Sequence, residues 1–89
     1  MHLSEWKNEG EGFIQAEMSL IKGHTPFLVL RVCGPNGNGK WIGVVRDAKS
    51  LKGLFETAYY RSDHLAKNSA INFATHYVLA CINKELTKD

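Results

Sequence analysis

The sequence predicts an α+β domain: a three-stranded antiparallel sheet, four-stranded if the residues before Gly10 join it, with two C-terminal helices packed on one face. Three observations predict it. All eight glycines and both prolines fall within the first 53 of the 89 residues. In that half, apolar side chains recur at every second position, the period of a half-buried strand. From Leu54 onward Gly and Pro are absent and the apolar period lengthens to that of a helix. So short a chain encloses one core of ordinary size, so residues 1–89 read as a single domain. Its parts are an arm or short strand at 1–9, a β-meander at 10–46 and a helical segment at 47–88.

Taken in order, Ile14, Ala16, Met18 and Leu20 alternate with mostly polar neighbours and mark the first strand of the meander. A turn is expected from Lys22 to Pro26. Phe27 to Cys33 is the next strand, with Leu28, Leu30 and Val32 on one face. Gly34 to Gly39 supplies the residues that tolerate a tight hairpin loop. Trp41 to Val45 is the third strand, with Ile42 and Val44 read as inward. Asp47 or Ser50 then caps a first helix carrying Ala48, Leu51, Leu54, Phe55 and Ala58 on one side, with Gly53 inside it at some cost. Ser62 and Asp63 interrupt the pattern and cap a second helix to about Leu86, with Ala70, Phe73, Ala74, Tyr77, Val78, Cys81 and Ile82 as its apolar stripe. One bent helix is the alternative for this segment.

Several function classes fall away. Gly34-Pro35-Asn36-Gly37-Asn38-Gly39-Lys40 matches the first seven positions of a phosphate-binding P-loop. The eighth position, however, is Trp41 rather than a magnesium-binding hydroxyl, and the segment that follows reads as a strand instead of a helix whose N-terminus faces phosphate. Cys33 and Cys81 show no CxxC and read as buried small hydrophobes. His2, His24, His64 and His76 lack the short spacings of a zinc site. No nucleophile elbow or Cys–His arrangement appears. The expectation is a non-enzymatic chain with no cofactor and no metal. Residues 1–7 lack the apolar core of a signal peptide and the longest apolar run, Tyr77 to Ile82, is far too short to span a bilayer. A cytoplasmic protein without membrane contact is therefore expected.

Charge is unevenly spread. The first 20 residues carry a local −3, residues 21–53 a local +5, and the remainder balances, giving the net +2. If Ile14, Ala16, Met18, Leu20, Leu28, Leu30, Val32, Ile42 and Val44 face the helices, alternation sends Phe13, Gln15, Glu17, Phe27, Val29, Arg31, Trp41, Gly43 and Val45 to the other side. Three aromatics, two valines and an arginine suit an interface better than a wetted surface. The alternative is that the arm, with Leu3 and Trp6, or one helix folds over this face. The candidate partner-binding residues are Phe13, Phe27, Val29, Arg31, Lys40, Trp41, Arg46, Lys49 and Lys52. A protein partner is expected; a homodimer through the sheet and a nucleic acid stacked on the aromatics beside the basic residues are the alternatives.

Gly39-Lys40-Trp41-Ile42-Gly43-Val44-Val45-Arg46-Asp47, followed by the two amphipathic segments, resembles the end of the sheet in small phage-encoded anti-CRISPR proteins that inhibit type I-F surveillance complexes. The likeness covers those nine residues and the strand-then-helix order, and it carries no site residue across. It implies a small rigid domain that blocks a larger machine by occupying its surface, in the cytoplasm of a host cell.

Overall fold

The computed structural model describes residues 1–10 and 12–86; residues 87–88 of the expected helical segment lie outside them. The strands are β1 (His2–Leu3), β2 (Lys7–Gly10), β3 (Phe13–Ser19), β4 (Leu28–Cys33), β5 (Ile42–Asp47) and β6 (Gly53–Glu56), and one helix follows, α1 (Asp63–Leu86). All pair antiparallel in one six-stranded sheet. β1 and β2 both lie against β3, one after the other along its edge, so the rows run β1/β2, β3, β4, β5, β6. The expected sheet of three or four strands with two helices is thus corrected to six strands and one helix.

The largest departure is at residues 47–56, where a hairpin replaces the first expected helix. Asp47 sets it up. Its carboxylate accepts the backbone N–H groups of Lys49 and Ser50, each at 2.9 Å, and the Ser50 hydroxyl at 3.2 Å. These are the bonds an N-cap makes, but here they close a single turn that the chain does not continue as a helix. Leu51 then turns the chain with a left-handed φ of 62°, its N–H donating to the Asp47 carbonyl at 2.8 Å. Past Gly53 the chain pairs with β5, Val45 opposite Phe55, and the Phe55 ring stacks on Phe73 of α1 with centroids 4.2 Å apart. Of the residues that read as a helical stripe, Leu54 and Phe55 are half-buried at this sheet edge instead, while Leu51 and Ala58 are exposed.

α1 begins at a side-chain cap, the Leu65 N–H donating to the Ser62 hydroxyl at 3.2 Å. Its buried line is Ala66, Ala70, Ala74 and Val78, one residue per turn. Such small residues let the helix axis come close to β4 and β5, and Gly43 completes the fit from the sheet side. A Cβ at position 43 would stand 2.8 Å from the Ala66 carbonyl oxygen and 3.2 Å from the Ala70 Cβ. Gly43 therefore faces the helix. Its cross-strand partner Val32 does so too, as do the pairs Leu30–Val45 and Ala16–Leu30 two residues along. The core is Met18, Leu28, Leu30 and Val45 against Ala70, Ala74 and Val78.

This register reverses the expectation for β5. Gly43 and Val45 point to the helix, while Ile42 and Val44 point away, because the helix needs the absent side chain of Gly43 where it crosses the strand. Leu20 is corrected as well: it lies past β3 in an exposed loop and is not part of the core face. The arm does not cover the open face. Leu3 pairs with Met18 on the helix side, and Trp6 packs at the core's rim with the Lys67 ammonium 5.5 Å from its ring.

Candidate functional site

The open sheet face carries the set Phe13, Gln15, Glu17, Val29, Arg31, Cys33, Ile42, Val44, Arg46 and Glu56, placed there by cross-strand register. Much of it is engaged within itself. The Arg31 Nε donates to the Gln15 Oε1 at 2.7 Å and the guanidinium lies 4.8 Å from the centre of the Phe13 ring. Val29 is 6% exposed, flanked across the strands by Glu17 and Arg46. No element packs on this face among the described residues, yet none of its apolar side chains ranks among the exposed large hydrophobics. It is a knitted, mixed-charge surface.

Trp41, expected beside Arg31, is elsewhere. It sits at the far end of the sheet, exchanging 2.7 Å backbone hydrogen bonds with Tyr60, half-buried and in contact range of Gly34. Lys40 lies at the same far end, in the β4–β5 loop. Lys49 and Lys52 lie at the opposite end of β5, about 20 Å away at the usual rise per strand residue. The basic positions therefore form two groups, not one track along the sheet.

The end that gathers Phe27, Val29, Arg46, Lys49 and Lys52 is built by two loops. In the β3–β4 loop the His24 N–H donates to the Ile21 carbonyl at 3.1 Å, and Gly23, with φ 85°, supplies the left-handed residue this tight turn needs. The turn holds Ile21 and Lys22 outward. Ile21 is 60% exposed and Leu20 53%. The β5–β6 loop is tied to it by the Ala48 N–H, which donates to the Phe27 carbonyl at 3.1 Å. Met1 and Leu51 are exposed at this same end, and Ile82 of α1 borders it.

Phe27 is the wall between two adjoining clefts. One, about 430 Å³, is bounded by Leu20, His24, Phe27, Val78, Cys81 and Ile82 and is predominantly apolar. The other, about 660 Å³, is bounded by Phe27, Pro26, Val29, Ala48, Glu17 and Lys49. Thr25 and Phe27 border both. Lys22, Lys49 and Lys52 are exposed around this end, with Arg46 half-buried beside them. Asp47 and Glu17 also border the second cleft, and Asp47 is held below its ordinary pKa of 3.8 by the Ser50 and Lys49 backbone N–H groups it accepts. That carboxylate is already spent on its own loop. On α1 next to the first cleft, a charge on Cys81 one turn on, together with burial, pushes the Tyr77 phenol above its usual 10.0.

Among the described residues no three His, Cys, Asp or Glu side chains converge as a metal site would require, and no helix is long and apolar enough to cross a membrane. The comparisons add no assignment: no family model, no curated protein and no solved structure matches the chain.

Sequence reasoning singles out five of the residues at this end but misses Leu20, Ile21, Cys81 and Ile82. It places Leu20 in the core and Cys81 and Ile82 on the stripe facing the sheet, where all three are exposed, whereas Val78 is buried against the sheet as that stripe predicts. A usable signal was present in the pair Leu20-Ile21 directly before Lys22-Gly23, since two bulky apolar residues in a turn do not serve a core.

Proposed function

We propose that this chain is a non-catalytic protein-binding module that docks through its loop end on an acidic, apolar segment of a larger protein and acts by occupying that surface. The observation that carries the reading is the pair of clefts joined at Phe27, with exposed leucine and isoleucine at the rim and Lys22, Lys49 and Lys52 around them. Apolar clefts of this size take large side chains, and the lysines discriminate for carboxylates beside them. Two adjoining clefts suit two anchors spaced along one strand or one helical turn of a partner. Surface occlusion is also the mode of action that the likeness of residues 39–47 to type I-F anti-CRISPR inhibitors implies.

The test uses two fluorescent amphipathic peptides of identical Leu and Phe pattern, one carrying Glu and one Lys at the polar positions. The Glu peptide is expected to bind, more weakly as salt rises, and the Lys peptide to bind poorly or not at all. Ile21→Asp, at an exposed position, should abolish binding while leaving the melting temperature in place. Lys49→Glu with Lys52→Glu should weaken it by about tenfold, or about 1.4 kcal/mol. Equal binding of both peptides, or binding indifferent to Ile21→Asp, refutes the reading.

A further inference from the structure

Between Lys67 and Lys84 the helix α1 carries no formal charge across sixteen residues, 68–83. The sheet explains only one side of this. Ala66, Ala70, Ala74 and Val78 are buried against the sheet, but at 100° per residue Asn68, Asn72 and Leu79 stand nearly opposite them. The outward flank reads Leu65, Asn68, Asn72, Thr75, Leu79, Ile82. Those positions are spaced three, four, three, four and three apart, the seam spacing of paired helices. Leu65 and Leu79 are 48% and 47% exposed and Ile82 is 39% exposed. A helix flank that faces only water ordinarily carries Lys and Glu.

We propose that this flank is the seat of a symmetric homodimer, a second copy of the chain laying the same flank of its α1 parallel and in register against the first. The lack of charge selects the occupant. A charged partner finds no counter-charge here, whereas two copies meet without repulsion. Each Asn72 amide is both donor and acceptor, so in a parallel, in-register pair it meets its own counterpart across the two-fold axis, and Asn68 and Thr75 beside it, also donors and acceptors, do the same. Leu65, Leu79 and Ile82 meet their own copies on either side of it. Six outward residues contributing roughly 80 Å² each from both copies bury on the order of 1,000 Å², the lower bound for a specific interface, so the dimer forms at micromolar or higher concentration. The sheets then lie on the outside; Ile82 also bounds the first cleft at the loop end, so Leu65 and Leu79, which do not, report on association, and Ile21, Lys49 and Lys52 report on docking.

Sedimentation equilibrium on the full chain across about 1 μM to 1 mM tests it. The mass is expected to climb from 10.0 kDa toward twice that value. Leu79→Glu should remain at the monomer mass throughout, with an unchanged melting temperature in dilute solution, and Leu65→Lys should do the same. Asn72→Leu should dimerise at a concentration at least about tenfold lower, because the buried amide costs stability for its specificity. Arg46→Glu, on the open sheet face, should follow the parent profile. A parent chain that stays monomeric through the range overturns the proposal. A dimer insensitive to both leucine variants does too, as does one abolished by Arg46→Glu.

Discussion

Gly43→Ala is the sharpest probe of how the helix sits on the sheet. The added methyl would stand 2.8 Å from the Ala66 carbonyl oxygen, 3.0 Å from Thr57 Cγ2 and 3.2 Å from the Ala70 Cβ. Relaxed contacts to carbon need several tenths of an ångström more, so the main chain of α1 must retreat from β5, and overpacking of this kind costs about 1–3 kcal/mol. Against that stands the usual gain of about 0.5–1 kcal/mol for replacing Gly within a strand. Part of the site cannot yield. The Gly43 N–H donates to the Thr57 hydroxyl at 2.8 Å, and the Thr57 N–H donates to the Gly43 carbonyl at the same distance, which pins β5 from its other flank. The net expectation is a loss of about 1–2 kcal/mol, read as a fall of roughly 5–15 °C in melting temperature for a domain of this size. Thermal and urea unfolding followed by circular dichroism measure it. Adding Ala70→Gly should bring no recovery, because the tightest contact is with the main-chain oxygen of Ala66 and the second substitution itself costs about 1 kcal/mol of helix propensity. A Gly43→Ala chain within about 0.5 kcal/mol of the parent would refute the close approach of helix and strand, since errors of that size are the ordinary scatter of surface changes.

Leu51 holds a left-handed backbone with its side chain exposed, so Leu51→Gly should stabilise the fold by about 1 kcal/mol, checked by urea denaturation. Asp47 has a depressed pKa in the folded state, so its contribution is complete above the ordinary value of 3.8 and is lost as pH falls through the lower folded value. Melting temperature should therefore drop over that acid range, and Asp47→Ala should both lower the neutral-pH melting temperature and flatten that acid-side slope. An unchanged slope in Asp47→Ala would show that other groups govern it.

Much of the candidate site was legible as residue types and not as places. Phe27, Lys49 and Lys52 read as interface material, and loop ends do gather them. The ambiguous stretch is β5 with the residue before it, where Trp41, Ile42, Gly43, Val44 and Val45 form an almost unbroken apolar run. Alternation in such a run fits either phase, and the reading that puts Ile42 and Val44 inward is the wrong one. The missing side chain of Gly43 decides the phase, and only the approach of Ala66 and Ala70 reveals why. Residues 47–58 misled for a related reason: a 3.6-residue stripe and a short edge strand can both bury Leu54 and Phe55.

By itself the sequence determined that the first half builds strands, that a helix starts at the Ser62 cap, and that the chain pairs an alternating sheet with an apolar helix stripe. Those features are local, set by period, punctuation and capping within a few residues. Only the tertiary structure decided the phase of β5, the hairpin at Asp47, the split of the basic residues between two ends and the clefts around Phe27. Apart from the local bonds of the Asp47 turn, these depend on contacts between residues far apart in the chain, such as Gly43 against Ala66 and Phe55 against Phe73.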